Sequence, residues 1–303
     1  MKQNYLITIV GATAIGKTSL SLELAKEFET EIISSDSRQF YKEMNIGTAV
    51  PTVQELNEVK HHFIHDRSIF DDYSVGDYER DAVSKLDDLY NNHNSVIMVG
   101  GSGLYIDAVL KGLDNFPDVN SEIRTNLKKE LFKNGINSLQ QKLKELDPTS
   151  YQKIDIDNKQ RLIRALEISI GTGRPYSSFL RNKNNNRSFI PIKIGIDAKR
   201  EIIYDRINQR VDLMIENGLI EEAKTLYPYR ELNALQTVGY KELFRYFDGE
   251  ITLEFAISEI KKNSRRFAKR QGTWFRKDPE IKWFDHQENI EAIIRYIKNQ
   301  FNT

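Results

Sequence analysis

A chain of 303 residues with 39% hydrophobic and 29% charged residues has a folded, globular composition, long for one ordinary domain and suited to a large domain carrying an insertion. The absence of cysteine excludes disulfides, cysteine–zinc sites, iron–sulfur clusters and cysteine nucleophiles, and it fits a reducing, cytoplasmic setting. The formal net charge is zero, yet residues 1–115 carry 10 Lys and Arg against 18 Asp and Glu, and the remainder carries 34 against 26. A basic second part is what a polyanion partner requires, although uneven surface charge alone also produces such a split.

Tyr5–Val10 (YLITIV) reads as a buried strand, and its apolar run is too short to cross a membrane, so no membrane partner is expected. The turn Gly11–Lys17 follows, then a helix over Thr18–Phe28 with Leu20, Leu24 and Phe28 in helical spacing. Glu31–Ser34 is a second strand, Tyr78–Tyr90 a helix with Ala82, Leu86 and Leu89 on one side, and Ser95–Val99 a third strand closed by Gly100 and Gly101. Strands alternating with helices predict an α/β fold with a parallel sheet.

From about Phe116 the pattern turns helical. Residues 121–146 are polar with stripes at Ile123, Leu127, Leu131 and at Leu139, Leu143, Leu146, and a second helix covers Asn158–Ile170. Asn182–Arg187 (NKNNNR) is a linker by composition, and Ile190–Ile196 is a strand again. Residues 116–188 therefore read as a helical insertion in a core built from 1–115 and 189–303; helices that simply continue the core are the alternative. Long helices are expected at 200–226 and 252–276.

Gly11-Ala12-Thr13-Ala14-Ile15-Gly16-Lys17-Thr18 matches G-x-x-x-x-G-K-[ST] without a gap, after a strand and at the start of a helix. Backbone N–H groups of such a loop cradle phosphate, Lys17 adds a cation, and the Thr18 hydroxyl can hold Mg²⁺. The motif specifies a diphosphate or triphosphate, not hydrolysis. An ordinary ATPase ends a later strand in an Asp, whereas here Val96–Val99 runs into Gly100-Gly101-Ser102-Gly103.

Asp36 follows the second strand, where ligands of open α/β sheets gather. It is a candidate general base or metal ligand, or else a helix cap. Gln39 can offer a donor and an acceptor to a base edge.

The chain resembles the tRNA dimethylallyltransferases in segments running almost end to end: GATAIGKT at Gly11, SDSRQFY at Ser35, Gly47-Thr48-Ala49, His61-His62, YSVGDYERDA at Tyr73 and GGSGLY at Gly100, then QRLIRALE at Gln160, RINQRVDLM at Arg206, VGYKEL at Val238 and KRQGTWFR at Lys269. Ser102 stands where threonine is usual, Gly272 where a larger apolar residue is usual, and His65 in place of an acid.

The resemblance implies a P-loop NTPase-like fold and transfer of a dimethylallyl group from dimethylallyl diphosphate to N6 of the adenosine just 3′ of the tRNA anticodon, position 37. It gives Gly11–Thr18 and Arg210 to the diphosphate with Mg²⁺ at Thr18, and a base role to Asp36. It gives tRNA contacts to Asp36, Ser37, Arg38, Gln39, Ser102, Arg124, Gln160, Arg161, Arg164, Lys269 and Arg270. Without it, Arg210 would read as an ordinary exposed helical residue. The expected protein is a monomer.

Lys261–Lys277 holds eight basic residues in seventeen and no acid. Ile260, Phe267 and Trp274 repeat every seven residues and predict a buried seam, leaving the basic face for RNA phosphates; a merely solvated helix is the alternative. The histidines lack zinc spacing, and no zinc is expected. Two rivals remain, a small-molecule P-loop kinase and a non-catalytic RNA-binding protein.

Overall fold

The computed structural model describes residues 3–180 and 187–301. In chain order the elements are β1 (Tyr5–Gly11), α1 (Lys17–Glu27), β2 (Ile32–Ser34), α2 (Val53–Glu58), β3 (His61–His62), α3 (Val75–Leu89), β4 (Ser95–Val99), α4 (Gly103–Lys111), α5 (Ser121–Asn134), α6 (Ile136–Leu146), α7 (Pro148–Lys153), α8 (Lys159–Thr172), β5 (Ile190–Asp197), α9 (Arg200–Glu216), α10 (Leu219–Leu226), α11 (Tyr240–Phe247), α12 (Leu253–Phe275), β6 (Lys282–Asp285) and α13 (Ile290–Gln300). Two compact units result: Met1–Leu110 with Asn186–Thr303, and Lys111–Asn185. Apart from Arg187, the linker expected at Asn182–Arg187 lies outside the described residues.

The first unit is built on one parallel sheet of six strands in the order β3-β2-β4-β1-β5-β6. β1 is buried along its whole length, as a central strand covered on both faces must be, and its one polar side chain, Thr8, is buried with the rest and donates to the Leu6 carbonyl at 3.5 Å. Its side chains alternate between two cores. Leu6 and Val10 join Val96, Met98 and the α3 residues Tyr78, Ala82 and Leu86 on one face. Ile7 and Ile9 join Ile97, Ile194, α1 and α13 on the other. Each such buried aliphatic side chain contributes about 1.5–3 kcal/mol. Ser34 pairs with Val99, and Val99 with Ile9, so the carboxyl ends of β2, β4 and β1 lie level. This row sets three functional turns side by side. The strand before Asp36 is not the direct neighbour of the phosphate-loop strand, because β4 intervenes.

The helix expected over 200–226 is two helices, parted at Gly218, whose φ of 99° a residue with a Cβ would resist. The stretch 121–146 breaks in the same manner at Gly135. In the second unit, Leu127, Leu139, Leu143, Leu162, Ile163 and Leu166 form a separate core, while Leu146 is exposed rather than on the expected stripe. No described helix is long and apolar enough to cross a membrane.

Candidate active site

The turn from β1 into α1 forms a hollow edged by backbone. Gly16 precedes α1 without a side-chain cap, so the first N–H groups of that helix remain available to an anion. Lys17 folds back over the loop, donating to the carbonyl oxygens of Gly11 (3.1 Å) and Ala12 (2.8 Å). Two arginines one turn apart on α9 brace the loop. Arg206 donates to the Ile15 carbonyl at 3.0 Å, and Arg210 to the Thr13 hydroxyl at 3.1 Å. Burial pushes the Lys17 ammonium down to about 8, Arg210 pushes the same way, and Asp36 opposes both. Arg210 is itself lowered by burial and supported by Asp36. Three charged groups therefore share one electrostatic neighbourhood.

The Thr18 hydroxyl lines this hollow and has no hydrogen-bond partner among the described residues. Those residues contain no cluster of three His, Asp or Glu able to cage a metal. A lone hydroxyl donor beside a phosphate hollow suits Mg²⁺, which keeps several waters and takes the rest of its oxygens from phosphate.

Asp36 begins no helix. Its carboxylate accepts the Arg38 N–H at 3.1 Å, so it supports a turn and is not a helix cap. Ser102 accepts the Ser37 N–H at 3.0 Å, tying the β2 and β4 turns together. Arg38 holds the carbonyl oxygens of Asn233 and Ala234, both at 3.1 Å. Gln39 is taken up by the Ser34 hydroxyl (3.1 Å) and by the carbonyl oxygens of Thr48 and Ala49 (3.3 and 3.1 Å). These contacts brace the turn, and they occupy both ends of the amide that would read a base edge.

Two cavities meet here, of about 400 Å³ over the phosphate loop and about 920 Å³ beside it. Thr13, Asp36, Thr48, Gly101, Arg210 and Gln271 line both. The larger one is walled by Phe267, Arg270 and Trp274 of α12. The expected seam on this helix is not the buried one: Ile260 is buried, but Phe267 and Trp274 are 39% and 38% exposed. The buried residues of its second half are Ala268, Gln271 and Phe275, spaced three and four apart as a straight helix demands. A strict seven-residue repeat drifts off that line, which turns Phe267 and Trp274 toward the cavity.

The basic residues of α12, together with Arg276 at its C-cap, include both paired and unpaired members. Lys261 pairs with Asp212 at 2.6 Å, Lys262 with Glu259 at 2.8 Å, and Arg276 with Asp197. The absence of acids within the segment is thus compensated from outside it. Lys269 and Arg270 are exposed and have no ion pair among the described residues. Gly272 has open space beside it, so nothing packs where a larger residue would project. His65 sits at a φ of 52°, its N–H held by the Gln39 carbonyl.

In the second unit, Gln160 and Arg161 are exposed on the first turn of α8, whose N–H groups are capped by Asn158. Arg164 donates to the buried Glu167 at 3.0 Å, and Arg124 approaches the same carboxylate at 3.5 Å.

The sequence pattern of IPP transferases matches residues 39–278. The chain belongs to this family. It is 64% identical over 300 residues to a tRNA dimethylallyltransferase of Christiangramia forsetii, covering 99% of both chains, and 58% identical over 299 residues to that of Flavobacterium johnsoniae, covering 97% of both. Its fold is similar to the tRNA isopentenylpyrophosphate transferase of Bacillus halodurans (TM-score 0.74, 38% identity, 100% of this chain and 97% of that one). It is also similar to a eukaryotic dimethylallyltransferase acting on tRNA (TM-score 0.80, 27% identity, 99% of this chain and 79% of that one). The fold is P-loop NTPase-like and the chain is a transferase; these relatives leave the kinase and the non-catalytic readings without support.

Among the residues that bound this transferase site, Arg206, Thr48 and Gln271 stand in the sequence only inside the segments that carry the resemblance, with no role of their own, and Phe267 and Trp274 read there as core. Gln271 carried a usable signal, because it is a polar side chain on the buried stripe of an amphipathic helix. The glycines of the β4 turn follow from close approach. A Cβ at Gly100 would collide with Ser35, and one at Gly101 with Gln271.

Proposed function

We propose that this enzyme transfers the dimethylallyl group of dimethylallyl diphosphate to N6 of adenosine 37 in tRNA and releases diphosphate. The observation that carries the proposal is the meeting of two unlike cavities at Asp36 and Arg210. One is rimmed by Lys17, Arg206, Arg210 and the phosphate loop. The other has aromatic and basic walls suited to a base swung out of its stack.

Attack by N6 forms the bond to the allylic carbon while the carbon–oxygen bond breaks, its electron pair leaving with the diphosphate. The N6 proton goes to the Asp36 carboxylate. Adenine N6 is a weak nucleophile, so orientation at the junction matters as much as basicity. Lys17 and Arg210 stabilise the charge gathering on the leaving group. The Thr18 hydroxyl would hold Mg²⁺, which would supply Lewis-acid stabilisation of the leaving diphosphate. Lys269 and Arg270 meet tRNA phosphates, and Gln160, Arg161, Arg164 and Arg124 of the second unit meet the anticodon loop.

Incubation with tRNA and labelled dimethylallyl diphosphate tests the reading directly. Labelled N6-dimethylallyladenosine next to the anticodon is the expected product. ATP turnover with no labelled nucleoside would defeat it.

A further inference from the structure

We infer that Gln271 is a positioning residue for the donor diphosphate, a role that rests on the transferase reading above. Gln271 is 5% exposed, and both ends of its amide are used. Its oxygen accepts the Thr13 N–H at 2.9 Å, and its nitrogen donates to the Gly101 carbonyl at 3.0 Å. Thr13 N–H can only donate and the Gly101 carbonyl can only accept, so a single orientation of the amide satisfies both.

This one side chain joins three elements. It projects from α12, grips the phosphate loop and pins the glycine turn after β4. Thr13 is consequently held twice, by Gln271 at its backbone and by Arg210 at its hydroxyl. Gly101 comes so near that a Cβ there would occupy the place of the amide nitrogen. The Thr13 peptide is fixed by a contact that comes from the protein itself, and the Arg210 guanidinium is fixed along with it. Removing the amide leaves the Thr13 N–H and the buried Gly101 carbonyl without these partners. The loop then relaxes, and Arg210 loses the hydroxyl that aims it. Lys269 and Arg270 lie on the exposed side of the same helix, so the surface offered to RNA phosphates is unaffected.

Gln271→Met keeps length and volume and removes both hydrogen bonds. The test compares it with wild type for KM of dimethylallyl diphosphate, KM of tRNA, and calorimetric binding of inorganic diphosphate in the presence of Mg²⁺. Donor KM and diphosphate Kd are expected to rise about tenfold, the worth of one well-placed hydrogen bond, with tRNA KM within about twofold of wild type because the phosphate-binding surface stays in place. An unchanged donor KM in a folded variant overturns the inference. Equal losses for donor and tRNA also overturn it, since they mark a purely structural role. Should Gln271→Met fail to fold, Gly101→Ala displaces the same amide without altering Gln271, and the same split is expected. A wild type that binds diphosphate but forms no labelled nucleoside counts against the transferase reading, whereas the diphosphate affinities still decide the role of Gln271.

Discussion

Lys17 and Arg210 share one hollow, where burial first and the Arg210 charge second drive the Lys17 ammonium down to about 8. Two cations held together in a partly closed hollow suit an anion with more than one charge. Donor binding requires Lys17 in its protonated form. In the free enzyme that form is complete well below pH 8 and is lost as pH rises through about 8. Donor affinity should therefore be flat from about pH 6 to 7 and fall above about pH 8, by up to about tenfold per pH unit. The sign for stability is opposite. The folded-state value lies below the ordinary 10.5, so between about 8 and 10.5 the unfolded chain binds more protons, and this group's contribution to stability rises with pH. Diphosphate titrations across this range check the first expectation. Lys17→Met should bind weakly with no such pH dependence, and a steep pH dependence persisting in that variant would assign it to another group.

Glu222 of α10 holds the turn beside the site from outside. Its carboxylate accepts the N–H groups of Asn45, Ile46 and Gly47 at 2.8–3.0 Å and the Tyr240 hydroxyl at 2.6 Å. The Tyr240 ring packs where a Cβ of Gly47 would project, and burial, with the Glu222 charge beside it, pushes the phenol well above its ordinary pKa. Glu222→Ala strands four donors and should lower unfolding free energy by about 2–3 kcal/mol. Urea denaturation measures this. A loss below about 0.5 kcal/mol, the range of an ordinary surface substitution, would show that the turn is held by other contacts.

The phosphate loop is fully legible in the sequence because its chemistry needs fixed residue types at fixed spacing after a strand. β1 is legible because both of its faces are covered, which leaves a run that is apolar from Tyr5 to Val10 except for the small, buried Thr8. Other elements carry no comparable signal. β3 is only His61–His62 at the sheet edge, and β6 is the half-polar KWFD; each is a strand because a neighbour offers it a ladder. The intervention of β4 between β1 and β2 is a long-range pairing that no local pattern encodes. On α12 two periods compete. The seven-residue repeat of Ile260, Phe267 and Trp274 masks the stripe of Ala268, Gln271 and Phe275, and so a cavity wall reads as core.

The division of basic residues on α12 sets an expectation for RNA binding. Lys269 and Arg270 are exposed and without ion pairs among the described residues, whereas Lys261 is engaged by Asp212. Lys269→Ala with Arg270→Ala should weaken tRNA binding and flatten the dependence of log affinity on log salt by about one unit for each phosphate no longer neutralised. Lys261→Ala should change that slope much less. Donor KM should stay the same in both variants. Filter binding from about 50 to 300 mM salt gives the slopes, and an unaltered slope in the double variant would mean that this face meets solvent.

Asp36 carries two duties that one substitution can separate. Its carboxylate supports the turn by accepting the Arg38 N–H at 3.1 Å, and it lines both cavities where the acceptor amine and the donor are expected to meet. Asp36→Asn retains an oxygen for the Arg38 N–H and nearly the same volume, so the turn and the hollow should persist and the melting temperature should hardly move. It cannot take a proton from N6. A positioned base is worth about 10²–10⁴-fold, so the single-turnover rate should fall at least about 10²-fold with tRNA and diphosphate affinities nearly intact. Asp36→Ala should lose the same catalytic factor and, in addition, some stability through the released N–H. Near wild-type turnover in the Asn enzyme, together with destabilisation in the Ala enzyme, would leave Asp36 with the turn alone and would move the base role to another group at the junction.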